Sequence, residues 1–220
     1  MTVAYPSRFD FLTQKLINLT VNPKEHWESV YSTKSDAEVS WTQPDPRLSL
    51  SLIREVSPTA GRVIDIGGGT SVLVDRLLEL GYSVSVLDVS QAAIDRSRQR
   101  LGAAASGVDW IVADVTAIES VGQCDVWHDR AVLHFLTSAA DRRRYVALLE
   151  RATPIGGHAI IATFALDGPE RCSGLEVCRY DGKTLARQII GFELLRTLAE
   201  THVTPWGKPQ SFQYSIFRRI

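Results

Sequence analysis

The sequence predicts an α/β fold: a doubly wound, mostly parallel sheet with helices on both faces. Three observations predict it. Apolar, β-branched runs alternate with amphipathic segments from Arg62 to Ala152, the signature of a parallel sheet with crossover helices. The first run, Val63-Ile64-Asp65-Ile66, stops at Gly67-Gly68-Gly69 and leads at once into a segment of helical period. Two long β-rich runs then close the chain on either side of Thr204-Pro205-Trp206-Gly207-Lys208-Pro209, a spacing that suits an antiparallel hairpin.

Roughly the first 20 residues lack a sustained period and read as a mobile arm or one short helix. From Pro23 the pattern changes, and Trp27, Val30 and Tyr31 share one helical face with proline near its start. A second helix from about Pro46 to Val56 carries Leu48, Leu52, Ile53 and Val56. Five parallel strands follow, near Arg62–Ile66, Ser83–Asp88, Val108–Ala113, Asp125–His128 and His158–Thr163. Crossover helices fall near Ser71–Leu80, Ser90–Leu101 and Ala139–Ala152. A segment containing Gly168, Pro169 and Cys172 interrupts the rhythm, Leu185–Ile190 reads as one more helix, and Phe192–His202 and Ser211–Phe217 are the closing strands. This divides the chain into an N-terminal arm with capping helices (1–58) and a ligand-binding domain (59–220), expected to form one compact unit.

With 220 residues and 45% hydrophobic content, the chain can bury one substantial core. Basic and acidic residues number 24 and 25, with no basic block, so no electrostatic footprint for nucleic acid is present. The N-terminus lacks the apolar core of a signal peptide, and no run approaches the ~20 apolar residues that span a bilayer, so a cytoplasmic location is expected. The 3 cysteines lack Cys-x-x-Cys or a histidine at zinc spacing, so neither a disulfide scaffold nor a metal is indicated. Cys124 reads as a small buried hydrophobe; Cys172 and Cys178 stay open between an acceptor-side contact, a redox-sensitive thiol and an ordinary loop cysteine. Oligomeric state is not legible.

The glycines mark a cofactor site. Lacking Cβ, they allow a sharp strand-to-helix turn that aims a helix N-terminus at a ligand. Asp88 caps the second strand about 20 positions after Asp65, where a βαβ nucleotide site needs a carboxylate for ribose hydroxyls. Asp65, two residues before the first glycine, would repel a pyrophosphate, and Val72 stands where a dinucleotide site has its third glycine. S-adenosylmethionine (SAM) has no phosphate, and its ammonium and sulfonium favour a nearby carboxylate.

At these residues the chain resembles the class I, seven-stranded SAM-dependent methyltransferases, whose first motif is an acid, an apolar residue and Gly-x-Gly. The resemblance runs from Val63 to the C-terminus and implies seven strands in the order 3-2-1-4-5-7-6, with strand 7 antiparallel. It implies cofactor contacts from Asp65, Gly67, Gly69, Asp88 and Val89, and from Asp114 and Val115 beside the adenine. S-adenosylhomocysteine (SAH) would be the product. The helix carrying Trp27 and Tyr31 is similar to the one before the cofactor motif in several protein-lysine and thiopurine-type methyltransferases, which with Trp41 would close over the methionine end of SAM. Core packing explains those aromatics nearly as well.

In that architecture Trp127-His128-Asp129-Arg130 faces the transferred methyl group. His128 or Asp129 would orient or deprotonate a nucleophile; the alternatives are a structural Asp129–Arg130 pair or a cofactor contact. His134 reads as a core histidine, and His202, Thr204 and Gln210 as turn chemistry. The Gly168–Leu175 loop would select the acceptor. Together with Val39-Ser40-Trp41, Cys172-Ser173-Gly174-Leu175 and the His202–Gln210 segment, these residues resemble small bacterial thiopurine-type or thiol methyltransferases. The expected reaction is methyl transfer to a small acceptor, with a thiol among the candidates; a protein-lysine methyltransferase, a non-catalytic SAM-binding partner subunit and an NAD(P) reductase are the rival readings.

Overall fold

The computed structural model describes residues 22–220; the arm or short helix expected before Pro23 lies outside them. Two helices lead in, α1 (Pro23–Thr33) and α2 (Arg47–Val56). Asn22 caps α1 by accepting from the Lys24 N–H at 3.0 Å, and Pro23 at the first helical position costs no hydrogen bond.

The sheet then builds from β1 (Arg62–Ile66), β2 (Ser83–Asp88), β3 (Val108–Val112), β4 (Val126–Arg130) and β5 (His158–Phe164). Its crossovers are α3 (Leu73–Glu79), α4 (Gln91–Leu101) and α5 (Ala139–Ala152). A two-stranded ribbon, β6 (Arg171–Cys172) and β7 (Leu175–Glu176), precedes α6 (Gly182–Ala186) and the long closing strands β8 (Phe192–Val203) and β9 (Pro209–Arg219).

The seven-stranded sheet has the order β3-β2-β1-β4-β5-β9-β8. β9 pairs antiparallel with β5 and β8, while the first five strands run parallel. Leaving out the ribbon, this is the expected order and polarity.

Strand alternation sorts the core into two layers. Ile64, Ile66, Trp127, Ala159 and Ile161 face Tyr145, Leu148 and Leu149 of α5 on one side of the sheet. Val63, Val84, Val86, Val126 and Ile160 face Leu52, Ile53, Leu73, Leu77 and Ile94 of α2, α3 and α4 on the other. Cys124 is buried in the first layer and Cys172 in the second, whereas Cys178 is half-buried.

Three local expectations are corrected. The late helix ends at Ala186 rather than running from Leu185 to Ile190, because Asp181 starts it early: its carboxylate accepts from the Thr184 N–H at 2.7 Å while the Thr184 hydroxyl accepts from the Asp181 N–H at 3.0 Å. α3 begins at Leu73, since the Ser71 hydroxyl accepts from the Leu73 N–H at 3.1 Å and holds the preceding turn. The loop expected over Gly168–Leu175 contains the β6–β7 hairpin, whose Ser173 and Gly174 have φ of +50° and +80°, the signature of a tight primed turn.

Candidate active site

A cavity of about 400 Å³ opens at the C-terminal ends of β1 to β4, where doubly wound sheets bind ligands. Its near end is built by the glycine turn. Gly67 and Gly69 have φ of +65° and +46°. A Cβ on Gly67 would lie 2.1 Å from Val132 Cγ2, and one on Gly69 2.8 Å from the Tyr31 hydroxyl and 3.1 Å from Asp88 Oδ2. Only a chain without side chains threads this gap. From behind, the Ser97 hydroxyl donates to the Gly69 carbonyl at 2.7 Å, and Arg100 donates to Thr70 and Ser71 carbonyls at 2.9 and 2.8 Å.

Asp88 stands at the end of β2 in the cavity wall beside Val89, and its Oδ1 accepts the Ser90 N–H at 2.8 Å. Burial, with the negative Asp65 nearby, pushes its carboxyl up to about 7 despite these backbone donors. Asp114 and Val115 line the same end; Asp114 Oδ1 accepts from both the N–H and the hydroxyl of Thr116 at 2.7 Å, leaving Oδ2 without such a bond.

The roof is aromatic. Trp27 meets Trp41 and Phe135 edge-on at centroid distances of 5.4 and 5.0 Å, and Trp41 Nε1 donates to the Tyr31 hydroxyl at 3.2 Å. α1 is held over the cavity by polar ties: the Ser90 hydroxyl donates to Glu28 at 2.8 Å, Arg96 donates to the Tyr31 and Lys34 carbonyls at 3.1 and 2.9 Å, and His26 Nε2 lies 3.2 Å from the Ser173 hydroxyl.

The far end is formed by Arg130, Phe164, Cys172, Leu175, Gln210 and Phe212. Arg130 lies over the Phe212 ring at 4.4 Å, its Nε donates to the Tyr214 hydroxyl at 3.2 Å and its Nη1 to the Trp41 carbonyl at 3.1 Å. Burial pushes the Cys172 thiol up to about 11.

Of the residues expected at the site, Gly67, Asp88, Val89, Asp114, Val115, Trp27, Tyr31 and Trp41 line this one cavity. Gly69 abuts it through Tyr31 and Asp88. Three others do not line it. Asp65 lies behind the glycine turn, its Oδ1 2.7 Å from His128 Nδ1.

The expected facing of His128 and Asp129 toward the methyl group is corrected: both are buried. His128 Nδ1 lies 2.7 Å from Asp65 Oδ1 and Nε2 lies 2.9 Å from the Ser49 hydroxyl, so both ring nitrogens are taken. Asp129 accepts from the Val132 and Leu133 N–H groups at 2.8 and 3.0 Å and from the Tyr145 hydroxyl at 2.6 Å. It caps the turn after β4 and does not pair with Arg130. Burial pushes it up to about 6.

His134 is a core histidine: its Nδ1 accepts the Phe164 N–H at 3.3 Å, and burial lowers it to about 3. His202 and Thr204 fix the hairpin, donating to the Ser40 carbonyl at 2.6 Å and accepting from the Lys208 N–H at 2.9 Å. Gln210, grouped with them by sequence, is instead a wall residue; its alternation with Phe212 and Tyr214 along β9 is the signal that places it there. Of the stretch Trp127-His128-Asp129-Arg130, expected to face the methyl group, Arg130 is the residue on the cavity wall.

Residues 63–157 match the family described as methyltransferase domain. Nodulation protein S from Rhizobium tropici is 29% identical over 100 residues, which make up 46% of this chain and 42% of that protein; the match therefore spans less than half of that relative. N-methyltransferase NodS from Bradyrhizobium japonicum WM9, solved in complex with SAH, is similar in fold at a TM-score of 0.69 and 15% identity over 90% of this chain and 99% of that one. A structure solved for the conversion of a disulfide bond into a thioacetal group during echinomycin biosynthesis has a TM-score of 0.71 at 22% identity, covering 89% and 92% of the two chains. The family match takes in less than half of the chain, and the two solved structures, each under 25% identical, show a shared fold. Among the described residues no helix is long and apolar enough to cross a membrane.

Proposed function

We propose that the chain transfers the methyl group of SAM to a small nucleophile held at the Arg130–Phe212 end of the cavity. The observation that carries this reading is the continuity of the cavity. Buried carboxylate and glycine chemistry suited to a nucleoside line one end, and an aromatic chamber lines the other. When bound, SAM supplies an electrophilic methyl on a sulfonium.

The residues fit that group. Asp88 and Asp114 offer acceptors for ribose hydroxyls and an adenine amino group, Gly67 and Gly69 let the backbone approach, and Trp27, Tyr31 and Trp41 exclude water at the methionine end. The chain's task is then positioning and desolvation.

Among the described residues the far end holds no ready base: Arg130 is a cation, Gln210 is neutral, Cys172 keeps its proton, and His128 and Asp129 are spent inside the core. An acceptor must therefore arrive nucleophilic near neutral pH, as a thiol or an unprotonated ring nitrogen does and a lysine does not. The likeness to an N-methyltransferase favours nitrogen as the second possibility. His128 is buried, so a peptide passing over the site would not meet its imidazole, which weighs against a protein substrate.

Transfer of label from methyl-labelled SAM to hydrogen sulfide, small aromatic thiols and heteroaromatic amines tests the reading. Turnover of at least one class, lost in Asp88→Ala, supports it. Labelling confined to lysine peptides, or none with any acceptor by a protein that binds SAM, overturns it in favour of a lysine methyltransferase or a non-catalytic SAM-binding subunit.

A further inference from the structure

We propose that the far end of the cavity is a subsite for an uncharged, flat acceptor that presents a hydrogen-bond donor and a hydrogen-bond acceptor on one edge, read by Gln210 and Arg130. The proposal rests on the division of the cavity into cofactor and acceptor ends made above.

Gln210 is 7% exposed, and its Oε1 is buried with no hydrogen-bond partner among the described residues. An amide taken out of water and left unpaired is costly, so in a cavity wall it marks a place where a ligand completes the bonding. Whichever way the amide is turned, it offers one donor and one acceptor side.

Arg130 keeps spare donor capacity too. Among the described residues its Nη2 is buried and makes no hydrogen bond, its contact there being a 3.7 Å ion pair with Glu200 Oε2. The rest of the guanidinium is fixed. A single line of bonds runs from Arg130 Nε–H to the Tyr214 hydroxyl (3.2 Å), on to Ser49 (3.3 Å), to His128 Nε2 (2.9 Å) and, through Nδ1, to Asp65 (2.7 Å). This chain leaves the cation no freedom to follow a ligand, so the ligand must fit it.

Charge decides the class. Glu200, itself held by Gln43 Nε2 at 3.2 Å, balances Arg130. An anionic acceptor approaching Arg130 meets the carboxylate behind it, and a cationic one meets the guanidinium. A neutral amide-like edge satisfies Gln210 and Arg130 without either repulsion. The walls suit a flat ring: Phe164 and Phe212 pack at a centroid distance of 4.8 Å and an interplanar angle of 66°, and Leu175 and Phe135 complete the chamber.

The test uses three probes with one ring and different edges. Benzamide, benzoate and benzylamine are titrated into protein saturated with SAH. Benzamide is expected to bind at least tenfold more tightly than either charged probe. Gln210→Leu should weaken benzamide about tenfold with SAH affinity unchanged, and the isosteric Gln210→Glu should shift preference toward benzylamine. Tighter binding of benzoate or benzylamine by the unaltered protein, no benzamide binding by a protein that takes up SAH, or an unchanged benzamide affinity in both variants overturns the proposal. Failure to bind SAH overturns instead the cofactor reading beneath it.

Discussion

In the proposed cofactor site, Asp88 is the side chain whose role depends most on pH. Its carboxyl, pushed up to about 7 by burial, must be ionised to accept from ribose hydroxyls, so cofactor binding should expel a proton below about pH 7. Affinity for SAM is then expected to rise with pH by up to about tenfold per unit and to level off above pH 8. Calorimetry in two buffers of different ionisation enthalpy at pH 6.5 reads the proton directly; no buffer dependence contradicts the assignment. Asp88→Asn should weaken SAM by about 1 to 3 kcal/mol and abolish that pH dependence. The sign for the empty protein is opposite. A folded-state value above the unfolded one means the buried carboxylate costs stability as pH rises through its range, so Asp88→Asn should raise Tm more at pH 8 than at pH 5. His128 makes the contrasting case, because its bonds to Asp65 and Ser49 are internal. His128→Ala strands a buried carboxylate and should cost roughly 3 to 5 kcal/mol in urea unfolding. A full loss of methyl transfer with stability unchanged would restore a catalytic role.

Elements explain why some of this was legible in sequence and some was not. The glycine turn was legible because its cause is local: β1 must end where the backbone takes positive φ, and Gly67 and Gly69 are the residues that do so. Gly67→Ala should therefore lower stability by roughly 2 kcal/mol or more and remove SAM binding. Adding Val132→Ala should recover part of the stability by removing the 2.1 Å clash, leaving the strain of φ +65°. A thermal-shift series reads both, and a Gly67→Ala protein as stable as its parent contradicts the steric account. Asp88, Asp114 and the strand order were legible for the same reason, since strand ends and period carry them. The direction of side chains at the end of β4 was not. His128 and Asp129 have the residue types of a catalytic pair, but beyond the Val132 and Leu133 N–H groups next to Asp129 the partners that claim them stand on other elements, Ser49 on α2 and Tyr145 on α5. No local pattern announces such contacts. Gln210 was missed in the opposite sense: it sits beside turn residues, and only its register with Phe212 sends it to the wall.

At the scale of the molecule, the sheet supplies a rigid edge and the N-terminal helices supply the cover. α1 is fastened to α4 through Glu28 and Arg96, and to the β6–β7 hairpin through His26 and Ser173, while α2 sends Ser49 into the core between β4 and β9. The segment before β1 is thus tied by hydrogen bonds to both ends of the cavity, which accounts for an aromatic roof contributed by residues well upstream of the glycine motif. This roofed cavity is expected to take SAM and not a dinucleotide. Calorimetric titration of the protein with SAM, SAH, NAD and NADP tests it most directly. Micromolar binding of SAM and SAH, with none of NAD or NADP, is the expected result. Binding of a dinucleotide alone would contradict it.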